Sequence, residues 1–481
     1  MPRIGVIGAG LAGCEAACAA ARLGAEVDLY EMRPGTRTEA HTTGGLAELV
    51  CSNSLKSLEP VSAPWLLKRE MGLLGSVTLP AAFAARVPAG VNLSVDRDAF
   101  SAGVERALAA EPRVRLRRER LDAVPDEGVW VVATGPLTAP ELAADLGRRI
   151  GAEHLYFYDA IAPIVTAESL DRERLFAANR WGRGGDDYLN CPLDKAGYEA
   201  FVAALMGAEK HQAHAFEEGR FFEGCLPIEE TARRGPDTLR YGPMKPVGLT
   251  DPRTGRRPWA CVQLRRENAA GSLYNLVGFQ THLRWGEQER LLRMIPALEH
   301  AEFARFGSMH RNTYVNAPAH LEAGCRLRSE PRVFLAGQIT GVEGYSESAA
   351  SGILAGINAV RALRGEGLVQ PPRNSMMGAL VHYLQASDPR HFQPVNAMWG
   401  LVEPLQGEGA ASGADAAAAP AVAGRGRSGK YGRFLAYRAR AMEQLEAWAR
   451  GLGRPLGDVS AMDAQAAEAA AEAAARKAEA Q

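Results

Sequence analysis

The stretch RIGVIGAGLAGCEAACAAARLGAEVDLYE, residues 3–31, restricts the fold more than any other. An apolar strand from Ile4 to Ile7 meets a glycine turn. A small-residue helix follows from Leu11 to Leu23, and Gly24 signals its end. A second strand, Glu26 to Tyr30, stops at Glu31. This is βαβ order carrying GxGxxG as Gly8, Gly10 and Gly13, with an acid 21 residues after Gly10. The first two glycines allow a tight turn and close approach to a pyrophosphate, and Gly13 lets helix and strand pack closely. The phosphates would rest on the helix N-terminus, and Glu31 would take ribose hydroxyls. Gly8, Ala9, Gly10, Gly13 and Glu31 are therefore candidate cofactor contacts.

Two later segments extend that reading. GVWVVATGPL (128–137) is an apolar strand ending in Ala133, Thr134 and Gly135. PRVFLAGQITGVEGYSESAASGILAGINAVRAL (331–363) is a strand, a glycine-rich turn and a small-residue helix. A late return of this kind fits a two-dinucleotide-type flavoprotein better than a plain crossover. It adds Gly337, Gln338, Gly341, Gly344 and Tyr345 as cofactor-binding candidates. The expected fold is α/β: a Rossmann-like FAD-binding domain with a large α+β insertion and a helical C-terminal segment. The nucleotide domain is expected over 1–154 and 326–405, and the insertion, which would carry the substrate, over 155–325. Residues 406–429 read as a linker or long loop, 430–452 as an amphipathic helix, and 453–481 as an Ala-rich tail, exposed or disordered.

Composition closes off several classes. The formal net charge is −1, so any nucleic acid must be held by local basic patches. Only seven of the 55 basic residues are lysine; arginine suits bidentate phosphate contacts. RLRRER (115–120), RTGRR (253–257) and RGRSGK (425–430) are the candidate patches, each competing with a plain solvated face. The insertion patch is favoured because it shares a domain with Cys225. No secretory leader is expected at the N-terminus, and no run reaches about 18 uncharged apolar residues. Seven scattered cysteines, 14, 18, 51, 191, 225, 261 and 325, suggest reduced thiols in a cytoplasm. The lack of CxxC disfavours a disulfide reductase, and no metal site is expected.

GLAELVCSNSLKS (45–57), YLNCPLD (188–194), EGCLPIEE (223–230), YGPMKPVGL (241–249), VGFQTHL (277–283) and FLAGQITGVEGY (334–345) resemble the bacterial folate- and FAD-dependent tRNA (uracil-5-)-methyltransferases, the TrmFO family. The resemblance spans about residues 1–440. GidA/MnmG wobble-uridine flavoenzymes are more distantly similar and supply the alternative reading. A flavin-binding RNA chaperone without catalysis is a further one. The TrmFO resemblance implies C5-methylation of the T-loop uridine of tRNA, with methylenetetrahydrofolate as methylene donor and NADH or NADPH reducing the FAD. It implies tRNA, through its T-arm, as partner, with no membrane and no obligatory protein partner.

Uracil C5 is a poor nucleophile. A thiolate adding to C6 makes the ring an enolate whose C5 attacks a one-carbon unit. A base then removes the C5 proton, and a hydride completes the methyl group. By resemblance, Cys225 is the nucleophile and Cys51 the partner in deprotonation. A buried structural thiol is the ordinary fate of the remaining cysteines. Cys225 sits among Glu223, Glu229 and Glu230, which would hold it as a resting thiol. Lys56, Lys245, Arg284 and His282 are softer candidates for phosphate, folate, flavin or uracil contacts.

Overall fold

A computed structural model describes residues 3–38, 40–151, 155–160, 162–182, 185–210, 226–307, 309–405, 427–453 and 456–468. A seven-stranded sheet has the order Leu321–Glu322, Arg326–Leu327, Val333–Leu335, Val129–Val132, Arg3–Ile7 (β1), Glu26–Tyr30 (β2), Val114–Arg117. The five strands from Val333–Leu335 onward are parallel; the two short ones at the other edge are antiparallel. Every residue of Val129–Val132 is buried, which is why its sequence is apolar without alternation.

Helix Leu11–Arg22 (α1) links β1 to β2 and is buried except at Arg22. The helix Tyr345–Leu363 lies against it in backbone contact. A Cβ on Gly352 would sit 2.1 Å from Ala12 O, and one on Gly356 2.4 Å from Ala16 O. Two glycines one turn apart thus set the spacing between the helices that flank the sheet. Sequence-distant pieces, 3–132 and 321–363, form this one layer and share a core.

The second layer is a six-stranded antiparallel sheet in the order Phe176–Ala177, Tyr188–Leu193, Ala260–Arg266, Leu273–Leu276, Ile164–Thr166, Phe303–Arg305. It has its own apolar core, completed by helices Lys195–Met206 and Trp285–Leu292. The chain passes between the sheets through one antiparallel pair, Leu155–Ala160 with Met309–Tyr314. No helix among the described residues is long and apolar enough to cross a membrane.

The C-terminal helix spans Arg427–Gly451, so it begins inside the stretch read as linker. Its residues Tyr437, Ala441 and Ala449 join the core of the first layer. The tail departs from expectation. Residues 456–468 do not hang free: Met462 is buried, and a Cβ on Gly72 would collide with its sulfur. Gly457 N donates to Leu73 O at 2.8 Å, and Asp463 pairs with Arg69. The notch at Gly72 takes the Met462 side chain, with Val459 beside it and Leu456 packed on the same core.

Candidate active site

A cleft with about 1010 Å³ of atom-free space, part of it open to solvent, lies at the C-terminal ends of the parallel strands. Parallel sheets place ligands there because the strand order reverses at that edge. Of the candidate residues, Gly8, Gly10, Glu31, Ala133, Thr134, Gly135, Gly337, Gln338 and Tyr345 line it. A Cβ on Gly10 would meet nothing within 4 Å, and no side chain caps α1 there. The first-turn amides of α1 therefore face the cleft, as an anionic ligand requires. The donor set and the room beside Gly10 fit a dinucleotide.

Four candidates stand outside the cleft wall. A Cβ on Gly13 would fall 1.7 Å from Gly8 O, so Gly13 brings α1 onto the turn without facing a ligand. Ala9 turns its amide to Glu31 Oε2 at 3.0 Å. Gly341, at φ +91, packs on the Phe392 ring, and Gly344, at φ +121, packs on Lys56 and Glu347. Both shape the turn before the Tyr345 helix.

Glu31 is not a bare acceptor. Oε1 takes the Arg33 amide at 3.0 Å and Arg33 Nε at 2.9 Å, and Oε2 takes Ala9 N and Arg33 Nη2 at 3.2 Å. Arg33 is buried, and its Nη1 also reaches Glu48 at 2.9 Å. Burial pushes the Glu31 carboxyl up, but the bonds and charge of Arg33 outweigh it and leave it below the usual range. Glu48 in turn binds the amides and hydroxyls of Thr42 and Thr43, tying residues 42–48 over the cleft. Arg33 could have been read from EMR beside the motif; Glu48 carried no such signal.

The cleft opens toward Cys51. Tyr345 heads its helix, lines the cleft and meets the Cys51 loop through its hydroxyl. That oxygen accepts the amides of Cys51 at 3.0 Å and Ser52 at 3.1 Å, and Cys51 Sγ lies 3.2 Å away. Burial, and next the neighbouring Cys51, raise the phenol well above the ordinary tyrosine range. It keeps its proton, and hydroxyl and thiol share one hydrogen bond in which either can donate.

Arginines grip the same loop from behind. Arg97 Nη1 donates to Leu49 O, Arg305 Nη1 to Val50 O at 3.2 Å, and Arg265 Nη2 to Ser52 Oγ at 2.9 Å. One nearby acid, Glu267, answers Arg97 at 2.9 Å. Burial, and next the charge of Arg97, push the Arg305 guanidinium below its usual range. Arg265 and Arg305 lie on the six-stranded sheet, so both layers build the Cys51 loop. Sequence inspection could not bring 97, 265, 267 and 305 together.

Cys225 lies outside the described residues. Its downstream acids are committed elsewhere. Glu229 is buried, accepting Thr281 Oγ1 and His282 N at 2.9 Å each, with His282 Nδ1 at 2.6 Å. Glu230 pairs with Lys210. Both carboxylates thus have partners of their own among the described residues. His282 thus has a structural acid partner, Lys56 holds Glu347 at 2.7 Å, and Arg284 pairs with Glu209 on the surface. None of the six described cysteines forms a disulfide, and five are buried.

Residues 3–367 match the family model described as glucose inhibited division protein A. A Moorella thermoacetica protein named methylenetetrahydrofolate--tRNA-(uracil-5-)-methyltransferase TrmFO is 58% identical over 403 residues, covering 83% of this chain and 92% of that one. A Symbiobacterium thermophilum protein of the same name is 53% identical, covering 95% and 99%. The solved structure of Aquifex aeolicus GidA superposes with a TM-score of 0.64 at 16% identity, over 94% of this chain and 74% of that one. That likeness establishes the shared flavoprotein fold. A nucleotide cleft opening onto a thiol, carried on sequence more than half identical to these relatives, has one family home: the chain belongs to the TrmFO family within the wider glucose-inhibited division protein A group.

Proposed function

We propose that this protein methylates C5 of the T-loop uridine of tRNA in the cytoplasm. FAD would occupy the cleft, methylenetetrahydrofolate would donate the carbon, and NADH or NADPH would supply reducing equivalents. One observation carries the reading: Tyr345 belongs to the cleft wall and also contacts Cys51, so a redox cofactor and a thiol share one residue. When bound, the flavin would supply the hydride that turns an exocyclic methylene into a methyl group.

The chain's own residues do the rest. The turn at Gly8 and Gly10 with the α1 amides would hold the pyrophosphate, and Glu31 with Arg33 the ribose. Thr134, Gly135, Gly337 and Gln338 would border the remainder of the cofactor. The Cys225 thiolate would bond to uracil C6, moving the ring's electron pair toward C5 and O4. C5 would then attack the one-carbon unit. Cys51 would take the C5 proton, its sulfur held by the Tyr345 hydroxyl and its negative charge favoured by Arg97, Arg265 and Arg305. The electron pair left at C5 would expel the nitrogen that carried the carbon, leaving an exocyclic methylene; once hydride has added to it, expulsion of the Cys225 sulfur would restore the C5–C6 double bond. The uracil must leave its stack for a thiol to reach C6.

Donor dependence on a T-arm hairpin RNA tests this. Methylation should require methylenetetrahydrofolate and a nicotinamide reductant. Transfer from S-adenosylmethionine, or modification of a wobble uridine in its place, would overturn it. A 5-fluorouridine hairpin should form a covalent adduct that Cys225→Ala abolishes.

A further inference from the structure

Of the three basic clusters, the side chains of 425–430 lie outside the described residues, and the other two differ in how their charges are used. In 115–120, Arg117 pairs with Asp28, Arg118 with Glu105, and Arg120 with Asp122 and Glu141. Three of that cluster's four arginines are answered by acids, and Arg115 is left exposed. In 253–257, Arg253 binds both oxygens of buried Asp251, at 2.9 and 2.7 Å. The side chains of Arg256 and Arg257 are exposed and make no ion pair or hydrogen bond among the described residues; neither does that of Lys245.

The insertion layer that carries these cations also carries large exposed apolar groups. The loop 240–248 is laced to its neighbours on both sides. Arg240 stacks 3.7 Å over the Trp259 ring and donates to Trp259 O, and Cys261 N donates to Met244 O. On the other side, Arg180 Nη1 binds Lys245 O and Val247 O, and the Trp181 ring lies against Gly248. Trp181 is 55% exposed, at φ +58, and Tyr241 is 79% exposed. The acids of these loops, Asp237 and Asp251, already hold Arg240 and Arg253. The layer presents rings and unanswered positive charge.

We propose that a face of the insertion layer, formed by Trp181, Tyr241, Lys245, Arg256 and Arg257, docks the substrate RNA. It rests on the reading of tRNA as substrate. The three cations meet backbone phosphates, and the two rings stack on unpaired bases or riboses of the loop. Cations without acid partners beside exposed rings match the electrostatic and stacking demands of single-stranded RNA. The same surface offers an apolar protein partner little reason for three unpaired cations.

The test measures affinity of the purified full-length holoprotein for a T-arm hairpin across a salt series. Lys245→Glu/Arg256→Glu/Arg257→Glu should weaken binding by at least about 30-fold near 0.1 M salt. The slope of log affinity against log salt should become shallower by about 2. The milder Lys245→Gln/Arg256→Gln/Arg257→Gln chain should fall between, which guards against misfolding of the reversed one. Trp181→Ala and Tyr241→Ala should each cost about tenfold in affinity, with turnover at saturating RNA retained. Normal affinity and slope in folded, cofactor-loaded charge variants overturns the proposal while wild-type methylation still stands. If the wild-type protein fails to bind or methylate the hairpin, the underlying tRNA reading fails instead.

Discussion

The cofactor cleft and the Cys51 loop adjoin, yet they are built by opposite means. Backbone and small residues make much of the cleft, and its buried charges are tied to one another: Arg33 sits between Glu31 and Glu48. The Cys51 loop is held by long side chains from distant strands and helices. Three arginines face it against one carboxylate, Glu267. The first region shapes space; the second region shapes potential. A pyrophosphate needs a precise concavity with donors already in place, which glycines and a helix end supply. A thiol that must take a proton needs an electrostatic setting, and only ionised side chains supply that strongly.

Variants should separate the two. The largest effect is expected at Gly13→Val, where a side chain would strike Gly8 O. The purified chain should lose its flavin absorbance and about 3 kcal/mol of stability in thermal melts. Arg33→Met comes next, leaving Glu31 and Glu48 facing each other without their cation. The Glu31 carboxyl is held low in the folded chain, so its contribution is present above the usual carboxylate range and lost as pH falls through the folded value. Without Arg33 that loss should begin at higher pH. An acid titration of flavin release should therefore shift upward, and an unshifted midpoint would show that Arg33 does not govern Glu31. The smallest effect is expected at Tyr345→Phe. Flavin content should stay normal while turnover drops by roughly tenfold, about 1.4 kcal/mol of barrier. Loss of flavin in this variant would erase the distinction between the regions.

The cleft was legible in the sequence because its signals are local. Glycine spacing, the strand endings at Ala133 and Leu335, and the acid after β2 each report backbone geometry within a few residues. The candidates that fell outside the wall, Gly13, Gly341 and Gly344, were glycines required by packing and not by a ligand. The Cys51 surroundings were not legible. Arg97 follows a helix cap, Arg265 and Glu267 end one strand, and Arg305 ends another, so only tertiary pairing reveals a cluster. The partners of Glu229 were hidden for the same reason: Thr281 and His282 lie some fifty residues away in sequence. The tail misled through composition: Met462, Leu456 and the Asp463–Arg69 pair dock its first part, and the alanine content hid them.

The position of Val129–Val132 has a consequence for how the chain is made. Its neighbours in the sheet are β1, synthesised early, and Val333–Leu335, which leaves the ribosome some two hundred residues later. Throughout that interval one side of the strand has hydrogen-bonding groups and no partner, the condition under which nascent sheets pair with the wrong chain. The intervening residues carry an apolar core of their own. The six-stranded layer is thus the part able to fold during the wait, and the seven-stranded layer closes last.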